Sequence, residues 1–425
     1  MNYYNSLLNK INKKSAKIGI IGLGYVGLPL ALQFSKKKFN VIGFDIDLKK
    51  INNLKRNKSY INHIPSKLIK INKKKLFFTS SFYKILETDI IILCLPTPLT
   101  EKLNPDLSYI KNTIINIKKY LTKGKLLILE SSTYPGSTRD ILLPHLKKFS
   151  VGNNFFIGYS PEREDPNNKN YNIENIPKIC SGYSEKCFFL TKNLYSKIIK
   201  KIIRVSNLET AEFVKLYENI YRSVNIGLVN EMKIISKKLN LNIYEIIKAA
   251  KSKPFGFHPF YPGPGVGGHC IPVDPYYLSW IAKKNKIKTN LIYQAGKINT
   301  FIPKWIISET IRKKKIKNVL IIGVAYKKNV DDTRESPAIN FINNLKKKNI
   351  NVNIYDPNVN FLTSRKLSKT YYSKKINKKT LKKYDCVFIL TDHSNVNYNL
   401  IKKYSKLIVD TRDIYKKKSD KILKL

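Results

Sequence analysis

The chain has 425 residues, enough for two or three domains at about 100 to 200 residues each, and 43 % are hydrophobic, including 19 Phe and 27 Tyr. Intrinsic disorder and a small disulfide scaffold are therefore excluded. Lys and Arg exceed Asp and Glu by 79 − 29 = +50, with only nine Arg among the 79. A basic nucleic-acid-binding protein would explain that surplus, but it needs clustered cations with interleaved aromatics. Here Lys recurs in short runs along the whole chain, as at Lys36–Lys38, Lys73–Lys75, Lys313–Lys315 and Lys416–Lys418. A solvated basic surface is expected, with neither nucleic acid nor membrane as partner, and its field still favours small anionic ligands such as nucleotides.

Residues 1–15 are polar, and no apolar run approaches the roughly 18 residues of a membrane span, so a soluble cytoplasmic protein is expected. From Lys17 the order is strand (Lys17–Gly22), Gly-rich turn, helix (Leu28–Lys37) and strand (Val41–Asp45). Apolar runs at Ile90–Leu95 and Leu126–Glu130 continue the series, and strands alternating with helical stretches imply parallel βαβ units. The longest helical stretch runs from about Ser206 to Asn240, opened by Ser206 and Glu209 in capping-box spacing. Residues 253–275 are dense in Gly and Pro and predict an ordered loop. A second strand series follows at 318–323, 352–356, 386–392 and 406–410. The expected fold is α/β, with two Rossmann-like doubly wound domains joined by a long central helix. The expected boundaries are 1–205 for a dinucleotide domain, 206–300 for a central helical region carrying the cysteine loop, and 301–425 for a second nucleotide domain.

Gly22, Gly24 and Gly27 form GxGxxG between a predicted strand and a predicted helix, with Asp45 ending the next strand. The glycines suit a tight turn, backbone approach to a pyrophosphate and close helix packing, and the acid suits a ribose diol. Asp45 would repel a 2′-phosphate, so NAD is preferred to NADP, a preference that Lys49 and Lys50 moderate. The second series has only Gly323 in the equivalent turn, crowded by Lys327, Lys328 and Arg334; another phosphate-bearing ligand or a plain basic loop would fit. Cys270, within GVGGHCIPVD and four residues before Asp274, is either a nucleophile approached closely across glycines or a small buried hydrophobe. Lys215 and Asn219, four apart on one helix face, can hold an oxyanion or simply be polar surface residues. The five cysteines show no zinc spacing, so no metal is expected, and His63, His145, His258, His269 and His393 are isolated, so none is assigned as a base.

Taken together, GLGYVGLPLA at 22–31, PTP at 96–98, ESSTYPG at 130–136, SPER at 160–163, AEFVKLYEN at 211–219, GGHCIPVDP at 267–275 and DDTRES at 331–336 resemble the UDP-glucose/UDP-mannose dehydrogenase family, in that family's order and over roughly residues 16–415. YINHIPS at 60–66, YSPEREDP at 159–166 and residues 253–275 resemble members acting on UDP-N-acetylhexosamines, UDP-N-acetylglucosamine first. UDP-N-acetylgalactosamine, UDP-N-acetylmannosamine and UDP-glucose are the neighbouring alternatives. A nucleotide-sugar-binding scaffold without activity is a further reading.

The resemblance implies a four-electron oxidation of the sugar C6 hydroxyl with NAD, through a thioester on Cys270, in a homodimer serving surface polysaccharide synthesis. Lys215 and Asn219 would stabilise oxyanions, Asp274 would position or activate water, and Glu162 with Thr133 would complete the acid/base and water network. Gly22, Gly24, Tyr25, Val26, Gly27, Asp45, Thr97, Thr133 and Arg334 would hold NAD. Glu162, Lys215, Asn219, Gly267, Lys327 and Arg412 would hold the UDP-sugar. UDP-glucose members often carry a second glutamate four residues after the first; Pro166 stands there, which leaves Glu164 a candidate by proximity alone.

Overall fold

The computed structural model describes every residue except 1, 62–63, 164–169, 269 and 418. Two compact units divide it: Met1–Glu218 with Tyr276–Lys286, and Asn219–Pro275 with Ile287–Leu425.

In the first unit the strands are β1 (Lys17–Ile21), β2 (Asn40–Phe44), β3 (Leu76–Thr79), β4 (Ile90–Leu93), β5 (Leu126–Leu129), β6 (Phe156–Tyr159), β7 (Lys178–Gly182) and β8 (Ile202–Arg204). They lie in the order β3-β2-β1-β4-β5-β6-β7-β8, parallel except where β6 meets β7. β4 (IIIL) and β5 (LLIL) are buried at every position, as expected of strands with both faces covered. The register sets Ile21 of β1 beside Phe44 of β2 and Leu93 of β4, so the chain leaves all three strands at one edge, where the Gly-rich turn lies.

In the second unit β9 (Asn318–Ile322), β10 (Asn351–Tyr355), β13 (Cys386–Ile389), β14 (Ile408–Asp410) and β15 (Ile422–Lys424) form a parallel sheet ordered β10-β9-β13-β14-β15. The pair β11 (Phe361–Leu362) and β12 (Tyr371–Tyr372) stands apart from it. Alternation is plain on β9: Val319 and Ile321 enter one buried cluster with Phe341 and Phe388, whereas Leu320 and Ile322 enter another with Val387 and Ile401. Together with the large parallel sheet of the first unit, this is the expected pair of doubly wound domains.

The central helix spans Leu208–Lys238. Its N-cap is Asn207 rather than Ser206: Asn207 Oδ1 accepts the Thr210 N–H at 2.8 Å, while the Ser206 hydroxyl bonds only the Thr210 hydroxyl. The residue adjoining the first turn reaches its N–H groups better. The Gly/Pro-rich loop ends at Asp274, which opens the helix Asp274–Lys284 with Pro275 in its first turn, where a missing N–H costs nothing. Among the described residues no helix is long and apolar enough to cross a membrane.

Candidate active site

The turn after β1 shows what each glycine is for. Gly22 has φ +93°, and a Cβ there would strike the Cys94 carbonyl; one at Gly27 would strike the Gly22 carbonyl. Those two are required by the protein's own packing. At Gly24 a Cβ would meet nothing within 4 Å, so the protein alone does not demand glycine there. The open space suits the backbone approach of a pyrophosphate at the start of the helix Gly27–Lys36. Tyr25 and Val26 complete the turn, half-buried.

Asp45, only 8 % exposed at the end of β2, accepts the Leu23 N–H at 3.0 Å and the Lys50 ammonium at 3.2 Å on Oδ2, and the Asp47 N–H at 2.9 Å on Oδ1. Of the two nearby lysines, Lys50 reaches this carboxylate, whereas the Lys49 backbone N–H caps onto Asp47.

Beyond β4 and β5 the same edge carries Thr97 and Thr133, both buried. Thr133 Oγ1 has no hydrogen-bond partner among the described residues, which suits a polar group arriving from a ligand. Sequence reasoning missed the acid cluster beneath it. Lys178 lies 3.1 Å from Glu130 and 3.3 Å from Glu162, and the Tyr195 hydroxyl donates to Glu130. Burial drives the Glu130 carboxyl up; it also opposes the Lys178 charge, but the two carboxylates outweigh that and raise the ammonium. Glu162 is thereby anchored, its Oε1 accepting the Arg163 N–H at 2.8 Å and its carbonyl accepting from Lys215 Nζ. Glu164 lies outside the described residues.

Glu212 also went unassigned. Fully buried, it accepts the N–H groups of Gly136 (2.5 Å) and Thr138 (2.8 Å) and the hydroxyls of Ser137 (2.9 Å) and Thr138 (2.6 Å). It ties the central helix to the loop bearing Thr133, three residues before Lys215. No spacing signal points to it, because the capped turn lies 75 residues away in sequence.

Lys215 belongs to the first unit and Asn219, one helical turn on, to the second. Both are buried, at 8 % and 1 % exposure, which settles against ordinary surface residues. Asn219 Nδ2 donates to the Asp274 carboxylate while its Oδ1 accepts from Arg222. The Asp274 N–H in turn donates to the Cys270 carbonyl at 2.8 Å, so the backbone of the cysteine loop is tied to the residue whose carboxylate Asn219 holds, all within the second unit. Cys270 is half-buried. Its glycines do a different job from the one read in the sequence. A Cβ on Gly267 would come within 2.7 Å of Pro337, and one on Gly268 (φ +85°) within 2.9 Å of the Tyr326 ring, so the protein's own packing already requires glycine at both. His269 and His63 lie outside the described residues.

In the turn after β9, Lys327 is half-buried, Lys328 pairs with Asp392 at 3.2 Å, and Arg334 pairs with Asp332 at 2.6 Å. Arg412 donates Nε to the Leu390 carbonyl at 2.7 Å, and Gly263 lies against its guanidinium, where a Cβ would be 2.9 Å from Nη1. His393 is not isolated. Fully buried, its Nε2 lies 3.0 Å from Asp356 Oδ2, and its Nδ1 accepts the Asn329 N–H at 2.9 Å. Burial alone would raise the Asp356 carboxyl, but the His393 bond and backbone N–H donors hold it below its ordinary value. The partners are 37 residues apart, a distance that spacing rules do not bridge.

Three models of the UDP-glucose/GDP-mannose dehydrogenase family match: its NAD binding domain at residues 16–199, its central domain at 209–301 and its UDP binding domain at 320–417. The mannose nucleotide in that family's description is GDP, which corrects the UDP-mannose of the sequence reading. UDP-N-acetyl-D-glucosamine 6-dehydrogenase of Pseudomonas aeruginosa is 35 % identical over 355 residues, covering 81 % of this chain and 83 % of that one. UDP-N-acetyl-D-mannosamine dehydrogenase of Pyrococcus horikoshii is 35 % identical over 424 residues, covering 94 % and 96 %. A solved structure of UDP-D-ManNAc dehydrogenase from Pyrococcus horikoshii has a TM-score of 0.84 at 33 % identity, covering 95 % of this chain and 96 % of that one.

Proposed function

Because this chain belongs to the UDP-glucose/GDP-mannose dehydrogenase family of NAD-dependent enzymes acting on nucleotide sugars, we propose that it oxidises the C6 hydroxyl of a UDP-N-acetylhexosamine to the uronate, with UDP-N-acetylglucosamine first and UDP-N-acetylmannosamine second. The observation that carries the proposal is the chain from Asn219 through Asp274 to the Cys270 backbone, which ties an amide donor and a carboxylate to the loop that bears the cysteine. An alcohol oxidation that ends at a carbonyl has no use for such a thiol; in one that ends at an acid, a covalent acyl carrier splits the second half into two easier steps.

Gly22, Gly24, Tyr25, Val26, Gly27, Asp45, Thr97, Thr133 and Arg334 would hold NAD, which when bound would supply the hydride acceptor for each of two oxidations. Cys270 as thiolate adds to the C6 aldehyde, and the thiohemiacetal is oxidised to a thioester. Asp274 orients the water that hydrolyses it, returning the thiol. Lys215 and Asn219 offset the charge that builds on the oxygen at each stage, from buried positions where such charges interact strongly. Glu162 and Thr133 serve the acid/base and water network, while Gly267, Lys327 and Arg412 bind the UDP-sugar. Residues 1–205, 206–300 and 301–425 divide the work as cofactor domain, central region and UDP-sugar domain.

We assign the protein to a homodimer in the cytoplasm, supplying an acidic sugar for surface polysaccharide. All five cysteines are free thiols, as suits a reducing compartment. The dimer reading rests on Phe213, Tyr217, Tyr221, Leu228, Met232 and Ile235, all exposed along the central helix, with half-buried Val224 completing the row and exposed Leu239 just past the helix end. Their spacing of four, four and three residues repeats every eleven, a period that keeps an apolar stripe on one face of a nearly straight helix. Leu228→Glu should leave a monomer by light scattering; an unchanged dimer counts against this face.

The deciding assay follows NADH absorbance with purified protein and a panel of UDP-sugars. Two NADH per uronate are expected, and Cys270→Ser should bind both ligands yet form almost no acid, an oxygen ester being a poorer acyl donor. Full turnover in the serine variant would remove the covalent route.

A further inference from the structure

The central helix buries a lysine that the mechanism leaves unused. Lys233 is 3 % exposed, and its ammonium nitrogen has no hydrogen-bond partner among the described residues. A charged amine so placed loses its hydration with nothing in return. The charges that face it are the Arg412 guanidinium and the carboxylates of Asp410 and Asp413. Both carboxylates are engaged elsewhere. Asp410 accepts the N–H groups of Arg412 (3.0 Å) and Tyr415 (2.9 Å), and Asp413 pairs with Lys416 (2.6 Å) and Lys424 (2.7 Å). The Tyr244 phenol enters the same corner, donating to the Thr411 carbonyl at 3.5 Å and facing the same three groups. Burial first, then the Arg412 charge, push the Lys233 ammonium down to about 7.

Geometry ties this lysine to Arg412 through one face of the helix. Asn230, three residues earlier and therefore on the same side, accepts the Gly263 N–H at 3.1 Å. Gly263 is the residue whose missing Cβ leaves room for the Arg412 guanidinium, 2.9 Å from Nη1. The carboxylate that faces Arg412 from the next loop, Asp392, is occupied by Lys328 at 3.2 Å. Asn230, Gly263, Arg412 and Lys233 thus make one corner holding two cations, neither with a carboxylate of its own.

We propose that Lys233 is a second cation of the nucleotide-sugar site, taking a proton from solvent when the diphosphate of a UDP-sugar is held at Arg412. The proposal rests on the assignment of Arg412 to the UDP-sugar. A neutral amine adds no repulsion to Arg412 in the free protein and becomes a counter-charge only when the anion arrives. Because the bound form holds the proton more tightly than the free form, affinity is full below about pH 7 and falls as pH rises, by up to about tenfold per unit while only the bound form stays protonated. No such dependence is expected for NAD.

The test is calorimetry on the full chain with UDP-N-acetylglucosamine and UDP-N-acetylmannosamine, whose two diester phosphates keep a fixed charge from pH 6 to 8.5, in paired buffers of different ionisation enthalpy. Wild type should take up most of one proton per ligand at pH 8. Lys233→Met, close in shape, should take up none, lose the pH slope and bind roughly tenfold more weakly at pH 6.5. Its NAD affinity and melting should show it folded. Proton uptake in wild type needs no variant, so its absence overturns the proposal by itself, as does a methionine variant with the wild-type slope. If wild type binds neither nucleotide sugar, the substrate reading fails and this one with it.

Discussion

At Gly22 the turn N–H donates to the Phe44 carbonyl at 2.8 Å, and at Gly323 the corresponding N–H donates to the Tyr355 carbonyl at 2.9 Å. Each glycine has positive φ, and each would drive a Cβ into the backbone of the neighbouring strand end, at Cys94 in one case and Thr391 in the other. Each is followed by an N–H bonded to the acid at the next strand's end, Leu23 to Asp45 at 3.0 Å and Val324 to Asp356 at 2.7 Å. The divergence begins at the acid. Asp45 keeps one lysine beside it at the surface, whereas Asp356 takes a second backbone N–H from Ala325 at 3.0 Å and is sealed by the buried His393. In the first turn the acid has one half-exposed lysine as its side-chain partner; in the second it is bonded to a fully buried histidine and so is spent on the fold. One βαβ skeleton can therefore hold a dinucleotide or a different phosphate ligand according to what closes over its acid.

The largest effects should come from breaking what the two turns share. Gly22→Val and Gly323→Val each force a branched side chain into positive φ and into a backbone carbonyl, costing about 2 to 5 kcal/mol, and denaturant melts should show similar losses. Gly24→Val, with open space around it, should melt within about 1 kcal/mol of wild type yet lose NAD while keeping the UDP-sugar. Equal destabilisation at positions 22 and 24 would break the distinction between packing and ligand glycines.

His393→Leu comes next, because it removes the side-chain partner of the buried Asp356 carboxylate and leaves only backbone N–H donors, at a cost of about 1 to 3 kcal/mol. Asp356 is held below its ordinary value, so the stability it supplies is present above the unfolded carboxyl range near pH 4 and is lost as pH falls through the folded value. The leucine variant should have a shallower acid-side slope, the backbone donors keeping the rest, which guanidinium melts between pH 3 and 6 would read. An unchanged slope would mean that His393 does not seal the acid.

Lys327→Ala should weaken the UDP-sugar by roughly ten- to hundredfold, about 1.5 to 3 kcal/mol, with NAD affinity unaltered in the same titration. Loss of NAD instead would exchange the roles of the two turns. The smallest effect is at Lys50, a partly exposed ion pair worth about 0.2 to 1 kcal/mol. NAD should be favoured over NADP by at least about tenfold in wild type, and Lys50→Ala should widen that preference by a few-fold in kcat/KM ratios. A narrowed ratio would show that another cation answers the 2′-phosphate.

Local patterns determined much of this protein. The short runs Ile90–Leu95 and Leu126–Glu130 announced β4 and β5, the Gly22–Gly24–Gly27 spacing announced the first turn, and the Gly/Pro density of 253–275 announced a loop, because strand burial, positive φ and helix breaking are properties of a few adjacent residues. What only the tertiary structure decided lies between residues far apart in sequence. Glu212 caps the helix at Ser137, Lys178 stands between Glu130 and Glu162, His393 covers Asp356, and Gly263 makes way for Arg412. The glycines beside Cys270 likewise have Tyr326 and Pro337 where a Cβ would stand, neighbours far away in sequence. Spacing along the chain reports which conformations a segment can adopt, whereas the partner of a buried charge is chosen when the segments pack and each buried group must find its counterpart among whatever neighbours the fold supplies.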